Sequence, residues 1–140
     1  MILIPIKIEK WKVFAYCRSE DSCDLLEWLS GLEENYLTSR NRLFAIIEKV
    51  ALDLQGPRLL PHDICHQVDK EHQIYEFIAG KLRLLWFYSP FEKKVIICAH
   101  GFLKKSQKTK KKDIQRAVKI KKRYEKRYKS KKIKIIEEIE

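Results

Sequence analysis

The stretch IYEFIAGKLRLLWFYSPFEKKVIICA, residues 74–99, decides the fold because its side chains alternate with a period of two. Three β-rich runs, at 74–78, 81–88 and 94–99, are separated by short segments that suit hairpin connections. In the middle run one face carries Leu82, Leu84, Trp86 and Tyr88, and the other carries Lys81, Arg83, Leu85 and Phe87. The pattern predicts a three-stranded meander in which Arg83 emerges from the sheet among apolar neighbours.

Upstream of the meander the sequence predicts a strand and two helices. Residues 10–16, KWKVFAY, alternate as a strand does, and the first nine residues either extend it or form a flanking strand. Ser22 is a plausible N-cap for a short amphipathic helix that ends near Gly31. A longer helix with an apolar stripe is stopped by Gly-Pro at 56–57, which makes a helical hairpin. A loop is expected over 57–71.

Charge is divided unevenly along the chain. Residues 1–102 hold 13 Lys/Arg and 14 Asp/Glu, a net charge of −1. Residues 103–140 hold 17 Lys/Arg and 5 Asp/Glu, a net charge of +12, so that the whole chain carries +11. Helical spacing with an apolar stripe predicts a basic helix over about 110–128. Such a block of cations is typical of a surface that binds a polyanion, and nucleic acid is the commonest large polyanion in a cytoplasm. The alternative is a solvated helix face or a frayed tail.

Composition bounds the class of protein. With 140 residues, 45% apolar content and 11% aromatic content, the chain is long enough for one domain with a real core. The opening MILIPIKIEK lacks the features of a signal peptide, and no stretch approaches the roughly 20 apolar residues of a membrane span. We therefore expect a cytoplasmic protein with no membrane partner.

The cysteines and histidines give weak signals. Four cysteines, at positions 17, 23, 65 and 98, have no paired spacing of the Cys-x-x-Cys kind, so reduced thiols are expected. His62, Cys65 and His66 are possible zinc ligands, but a closed site needs further ligands at a recognisable spacing. Polar histidines are ordinary in a loop of this kind. We expect neither a metal nor another cofactor.

Five short pieces of the sequence carry a resemblance to a known family. They are WKV at 11–13, LEWLSGL at 26–32, LDLQGP at 52–57, IYE at 74–76 and HGFLKKSQKT at 100–109. The last piece is the most distinctive. With these pieces the chain resembles a HigB-type toxin of the RelE/ParE superfamily, in the phage-associated group that is encoded beside helix-turn-helix antitoxins.

The resemblance covers about residues 10–128 and implies a fold. That fold is α+β, a small RelE-like domain whose antiparallel-dominated sheet packs against a helical hairpin, with a basic C-terminal helix. Residues 1–130 are then a single RelE-like toxin domain, and residues 131–140 are a charged C-terminal tail.

The resemblance also implies a function. Members of this group are ribosome-dependent endoribonucleases, or mRNA interferases, of type II toxin-antitoxin systems, and they inhibit translation. The expected partners are mRNA, the ribosome and a cognate helix-turn-helix antitoxin. RNA carries its own nucleophile, the 2′-OH, so the protein has to align it, assist proton transfer and neutralise the phosphorane, for which no metal is required.

Candidate site residues follow from this chemistry. The candidate catalytic residues are Arg83, Lys104, Lys105, Glu76 and His100. The candidate RNA-binding residues are Lys81, Lys108, Lys110, Lys111, Lys112 and Arg116. The planar donor fork of a guanidinium fits phosphate oxygens, which favours Arg83 as the transition-state clamp. Alternatively, Arg83 and Glu76 form a structural ion pair, and His100 is a hydrogen-bonded structural histidine.

Two departures from the family pattern keep other functions open. Most relatives carry Glu-Leu-Arg where this chain has Glu76-Phe77-Ile78, so one expected cation is missing, and Lys110 replaces a common proline. The first change puts catalytic strength in doubt. The alternatives are a ParE-like poison that binds DNA gyrase and a non-catalytic RNA- or ribosome-binding module. The cluster of Arg83 with Lys104 and Lys105 argues against the gyrase poison.

Overall fold

The computed structural model describes residues 1–105 and 109–136, which form one seven-stranded sheet and three α-helices. The strands are β1 (Ile2–Ile8), β2 (Lys12–Cys17), β3 (Cys65–Asp69), β4 (Ile74–Ala79), β5 (Leu82–Tyr88), β6 (Val95–Leu103) and β7 (Lys134–Ile135). The helices are α1 (Asp24–Ser30), α2 (Leu37–Leu52) and α3 (Lys111–Lys129), and short 3-10 turns occur at Glu34–Tyr36 and Gly56–Leu59. In the described residues no helix is both long and apolar enough to span a bilayer.

The sheet has the strand order β3-β4-β5-β6-β2-β1-β7. Its pairs are antiparallel except β2 with β6 and β1 with β7, so the expected antiparallel-dominated α+β architecture is confirmed. The predicted meander corresponds to β4, β5 and β6. The loop expected over 57–71 is wrong in part, because β3 adds a fourth strand at that edge. Its short sequence CHQVD alternates too weakly to stand out, and its pairing with β4 defines it.

The two faces of the sheet carry separate apolar cores. On one face Leu82, Leu84 and Trp86 join the buried residues of α1 and α2. On the other, Leu85 and Phe87 pack with the buried stripe of α3, which consists of Ala117, Ile120 and Tyr124. The predicted division of β5 into two faces is therefore confirmed, and the sheet lies between the α1–α2 pair and the basic helix.

The predicted helix boundaries need small corrections. Cys23, not Ser22, is the N-cap of α1, because Ser22 is engaged with Ser19 in an isolated bridge of the preceding turn. The second helix ends at Leu52, two residues before the predicted apolar stripe ends, and Leu54 is exposed.

Two cysteines are paired, which corrects the expectation of reduced thiols. Cys17 at the end of β2 and Cys23 before α1 form a disulfide, with their Cα atoms 4.3 Å apart. The turn between the strand and the helix brings them together, a closeness that their sequence spacing does not signal. Cys65 and Cys98 are free.

Two of the family-like sequence pieces meet in space beside β6. Gly101 lies against the indole of Trp28 from α1, where no room remains for a Cβ atom. A larger side chain at 101 would push the indole away, so the glycine permits α1 to approach the sheet. This contact fixes the wall at the end of β6, which is where the basic segment begins.

The C-terminal segment is partly integrated into the sheet. Lys134 and Ile135, within the predicted charged tail, form β7 parallel to β1. The backbone N–H of Lys134 donates to the Met1 carbonyl, and that of Ile136 donates to the Leu3 carbonyl. The tail assignment for 131–140 therefore needs correction at these residues, because the otherwise unpaired edge of β1 supplies hydrogen-bond partners.

Candidate nucleic-acid cleft

A cleft of about 680 Å³ lies between the β3–β6 part of the sheet and the N-terminal end of α3. Five cations and two carboxylates line it, together with His66 and Thr109: the cations are Arg83, Lys104, Lys105, Lys110 and Lys112, and the carboxylates are Glu76 and Asp113. The cleft is therefore positively charged, and its size suits a short segment of a polyanion rather than a fully enclosed small molecule.

Glu76 on β4 is the centre of the polar contacts in the cleft. Its side chain is only 3% exposed. Its Oε2 accepts a 2.5 Å hydrogen bond from the Thr109 hydroxyl, and its Oε1 lies 3.6 Å from both Arg83 Nε and His66 Nε2. A buried carboxylate needs such partners, since desolvation of an unpaired charge is costly. Glu76 thus orients three side chains on three different segments.

Arg83 on β5 is held firmly by the protein. Its Nη1 donates to the carbonyls of Gly80, at 2.7 Å, and Leu82, at 2.9 Å. Burial lowers the pKa of Arg83, and the Glu76 carboxylate counteracts this effect. Arginine nevertheless stays charged in proteins. Among the described residues Nη2 has no hydrogen-bond partner, so this nitrogen is the part of the guanidinium that is left for an anion in the cleft.

The lysines of the cleft come from the end of β6 and the start of α3. Lys104 is half-buried and Lys105 is exposed, and both line the cleft with Lys110 and Lys112. The first turn of a helix also favours anions, because its N–H groups are unpaired. The predicted contact Lys108 lies outside the described residues. The others form a cationic rim opposite the β3–β4 hairpin.

His100 is placed differently from a residue that contacts substrate. It is 2% exposed, and its Nε2 donates a 2.9 Å hydrogen bond to the Asp113 carbonyl in the first turn of α3. Burial lowers the pKa of His100, and the nearby Arg116 lowers it further. His100 is not among the described residues that line the cleft. Its geometry matches the structural alternative, in which it fastens α3 to β6.

Three predicted RNA-binding residues lie outside the cleft. Lys81 and Lys111 are exposed but are not part of its described lining. Arg116 is exposed on α3, and its Nη2 lies 3.4 Å from a carboxylate oxygen of Asp24. Lys111 and Arg116 extend the positive surface along α3, whereas Lys81 lies in the turn between β4 and β5.

Sequence reasoning missed His66 and Thr109 as residues of the cleft. Thr109 lies in the most distinctive family-like piece, so that piece carried a signal for it. His66 was considered only as a metal ligand in a loop. Its position on β3 directly opposite Glu76 depends on strand register, which the sequence does not display. In the described part of the chain, no three His, Cys, Asp or Glu side chains gather into a group that could hold a metal ion.

The structure is that of a small α+β protein whose cleft is lined by five cations and two carboxylates. The chain belongs to the family described as Phage derived protein Gp49-like (DUF891), whose model matches residues 27–137. This family is part of the RelE/HigB-like toxin superfamily. A comparison with curated proteins gives no significant match. The superfamily expected from the sequence is therefore confirmed, and the narrower HigB-type assignment stays a prediction.

Proposed function

We propose that this protein is the toxin of a type II toxin-antitoxin system and a ribosome-dependent endoribonuclease that cleaves translated mRNA. The observation that carries the proposal is the cleft in which Arg83 and four lysines surround the space in front of Glu76. A single-stranded RNA segment supplies the matching phosphates, and the ribosome supplies an extended message. Membership of a toxin superfamily agrees with this activity.

The proposed chemistry uses the RNA 2′-OH as nucleophile. Attack on the adjacent phosphorus forms a 2′,3′-cyclic phosphate and releases the 5′-oxygen, with negative charge building on the phosphorane. Arg83 Nη2 and the Lys104 and Lys105 ammonium groups stabilise that charge. A fixed donor such as Arg83 contributes on the order of 3 kcal/mol to the transition state, because it needs no reorganisation. No step in this scheme needs a metal.

A second candidate function is a non-catalytic RNA- or ribosome-binding module. Two observations favour it. Arg83 Nη1 already donates to two backbone carbonyls, which leaves fewer N–H groups of the guanidinium for a phosphate. Ile78, which stands opposite Arg83 in the β4–β5 pair, places an apolar side chain on the cleft where relatives are expected to carry a cation.

Primer extension on a translated message after brief induction separates these functions. Discrete cuts at codon-linked positions support the nuclease. Arrest of translation without cuts supports the binding module, and DNA breaks that depend on gyrase support a ParE-like poison. The informative variant is Lys104→Ala with Lys105→Ala. Its matched control is Lys70→Ala with Lys93→Ala, which removes two exposed cations that are not part of the cleft lining.

A further inference from the structure

We propose that His66 is the general acid of the cleft, the group that protonates the departing 5′-oxygen. This inference rests on the proposed nuclease function and assigns a residue to one of its proton transfers. It starts from an unusual position for a histidine: the His66 side chain is 25% exposed, lines the cleft, and has an oxygen acceptor facing each ring nitrogen.

The two polar contacts of the imidazole ring distinguish its two nitrogens. Nδ1 lies 3.0 Å from the His62 carbonyl, which only accepts, so Nδ1 carries a proton. Nε2 faces Glu76 Oε1 at 3.6 Å. At that distance Nε2 makes no hydrogen bond to Glu76, so it is the ring nitrogen left for a proton transfer in the cleft.

Several charged and polar groups surround His66. The His62 ring stacks on it with centroids 4.8 Å apart, and Glu76 pairs with it from β4. Arg83 and Thr109 contact the same carboxylate, and the lysines of the rim line the rest of the cleft. The His62 carbonyl on Nδ1 fixes the orientation of the ring as the third member of a triad does, and this leaves Nε2 for the substrate.

The proton transfer balances as follows. The 2′-oxygen forms its bond to phosphorus and gives its proton to solvent water. The bond between phosphorus and the 5′-oxygen breaks, and the proton on His66 Nε2 passes to that oxygen. The neutral imidazole then regains a proton from water before the next turnover. His100 is unsuited to this role, because it is buried and its Nε2 proton is already donated to the Asp113 carbonyl.

The test uses ribosomes programmed with a synthetic mRNA whose scissile linkage carries either the natural 5′-oxygen or a bridging 5′-sulfur. A thiolate leaves without protonation, so the sulfur substrate does not need a general acid. His66→Gln should lower the cleavage rate of the oxygen substrate by about 100-fold or more. On the sulfur substrate the same variant should cleave within about threefold of the wild-type rate.

The pH dependence gives a second readout. Because a general acid acts in its protonated form, the wild-type rate on the oxygen substrate should fall as pH rises. His66→Gln should lose that fall. The matched control is His72→Gln, since His72 contacts Asp69 in the β3–β4 turn and is not part of the cleft lining. It should keep both the rate and the pH profile.

The outcomes are distinguishable. A folded His66→Gln variant that is equally slow on both substrates, or as fast as wild type on the oxygen substrate, overturns the general-acid assignment and leaves the nuclease intact. Wild-type protein that cleaves neither substrate overturns the proposed function, and the inference with it. Should His66→Gln fail to fold, His66→Asn takes its place, judged by the same ratio of oxygen to sulfur rates.

Discussion

Replacing Arg83 by alanine should destabilise the fold as well as remove a phosphate contact. Arg83 Nε lies 3.6 Å from a Glu76 carboxylate that is 3% exposed. Removing one partner of a buried ion pair costs about 3–5 kcal/mol, because the remaining charge stays desolvated. Thr109 still donates to Glu76, which places the expected loss near the lower value, at about 3 kcal/mol.

A double variant isolates the share of this destabilisation that comes from the buried, unpaired charge of Glu76. Glu76→Gln combined with Arg83→Ala removes the buried charge. The stability that this double variant loses should therefore reflect mainly the two hydrogen bonds from Arg83 Nη1 to backbone carbonyls. Each such bond is worth about 1 kcal/mol net. The double variant should therefore be more stable than Arg83→Ala alone, by about 1 kcal/mol.

Urea-induced unfolding of the wild type, Arg83→Ala and the double variant measures these differences, provided the slope of free energy against urea stays constant. The control is Arg58→Ala, an exposed arginine that is not part of the cleft lining, which should change stability by less than about 0.5 kcal/mol. An Arg83→Ala variant within about 0.5 kcal/mol of the wild type refutes the reasoning, since His66 and Thr109 would then suffice to keep Glu76 buried without Arg83.

Further predictions concern the cleft and the helix above it. Lys104→Ala with Lys105→Ala should lower the slope of log affinity for RNA against log salt by about 1.5, because about 0.7–0.9 is lost per phosphate contact; an unchanged slope means that neither lysine touches a phosphate. Ile78→Arg should raise cleavage after induction, measured by primer extension, because it adds a donor fork to the cleft; a slower variant would contradict this. Burial lowers the pKa of His100 from 6.5, so unfolded chain binds more protons than folded protein just below that value. The free energy of unfolding should then fall as pH drops below about 6.5, and this part of the fall should be absent in His100→Gln, whereas identical pH curves from urea titrations would exclude it.

Periodicity in the sequence was sufficient to predict the centre of the fold. The alternation of side chains along β5 assigned its residues to the correct faces. Both faces are apolar, and only one of them carries Arg83. The edge strands were harder. β3 and β7 are short, and each is defined by hydrogen bonds to a neighbouring strand rather than by a sequence pattern of its own. The Cys17–Cys23 disulfide was missed for the same kind of reason, since a turn of the backbone creates it.

The cleft was predictable in its charges and not in its geometry. Glu76, Lys104 and Lys105 were expected from the family-like pieces, and Arg83 was expected from the alternation of the middle strand. All four line one cleft. The two histidines show the limit. His100 follows the strand predicted over 94–99 and precedes a glycine, which suggested chemistry, yet it lies within β6 and its Nε2 donates to the Asp113 carbonyl of α3. His66 had no such signal, because its partner Glu76 is brought opposite by strand register alone.

The central carboxylate has a physical consequence for the whole site. A negative charge at Glu76 weakens the attraction of the cleft for phosphate, so affinity alone would not favour it. It does, however, fix Arg83 and His66 at 3.6 Å each and holds Thr109, at the start of α3, against β4. Fixed groups stabilise a transition state better than mobile ones, because no reorganisation is needed when charge develops. The lysines of the rim restore the attraction of the cleft for phosphate, and this attraction does not require their side chains to be held in one geometry. Under the proposed nuclease function, Glu76 lowers ground-state affinity for phosphate in return for the preorganisation of Arg83 and His66.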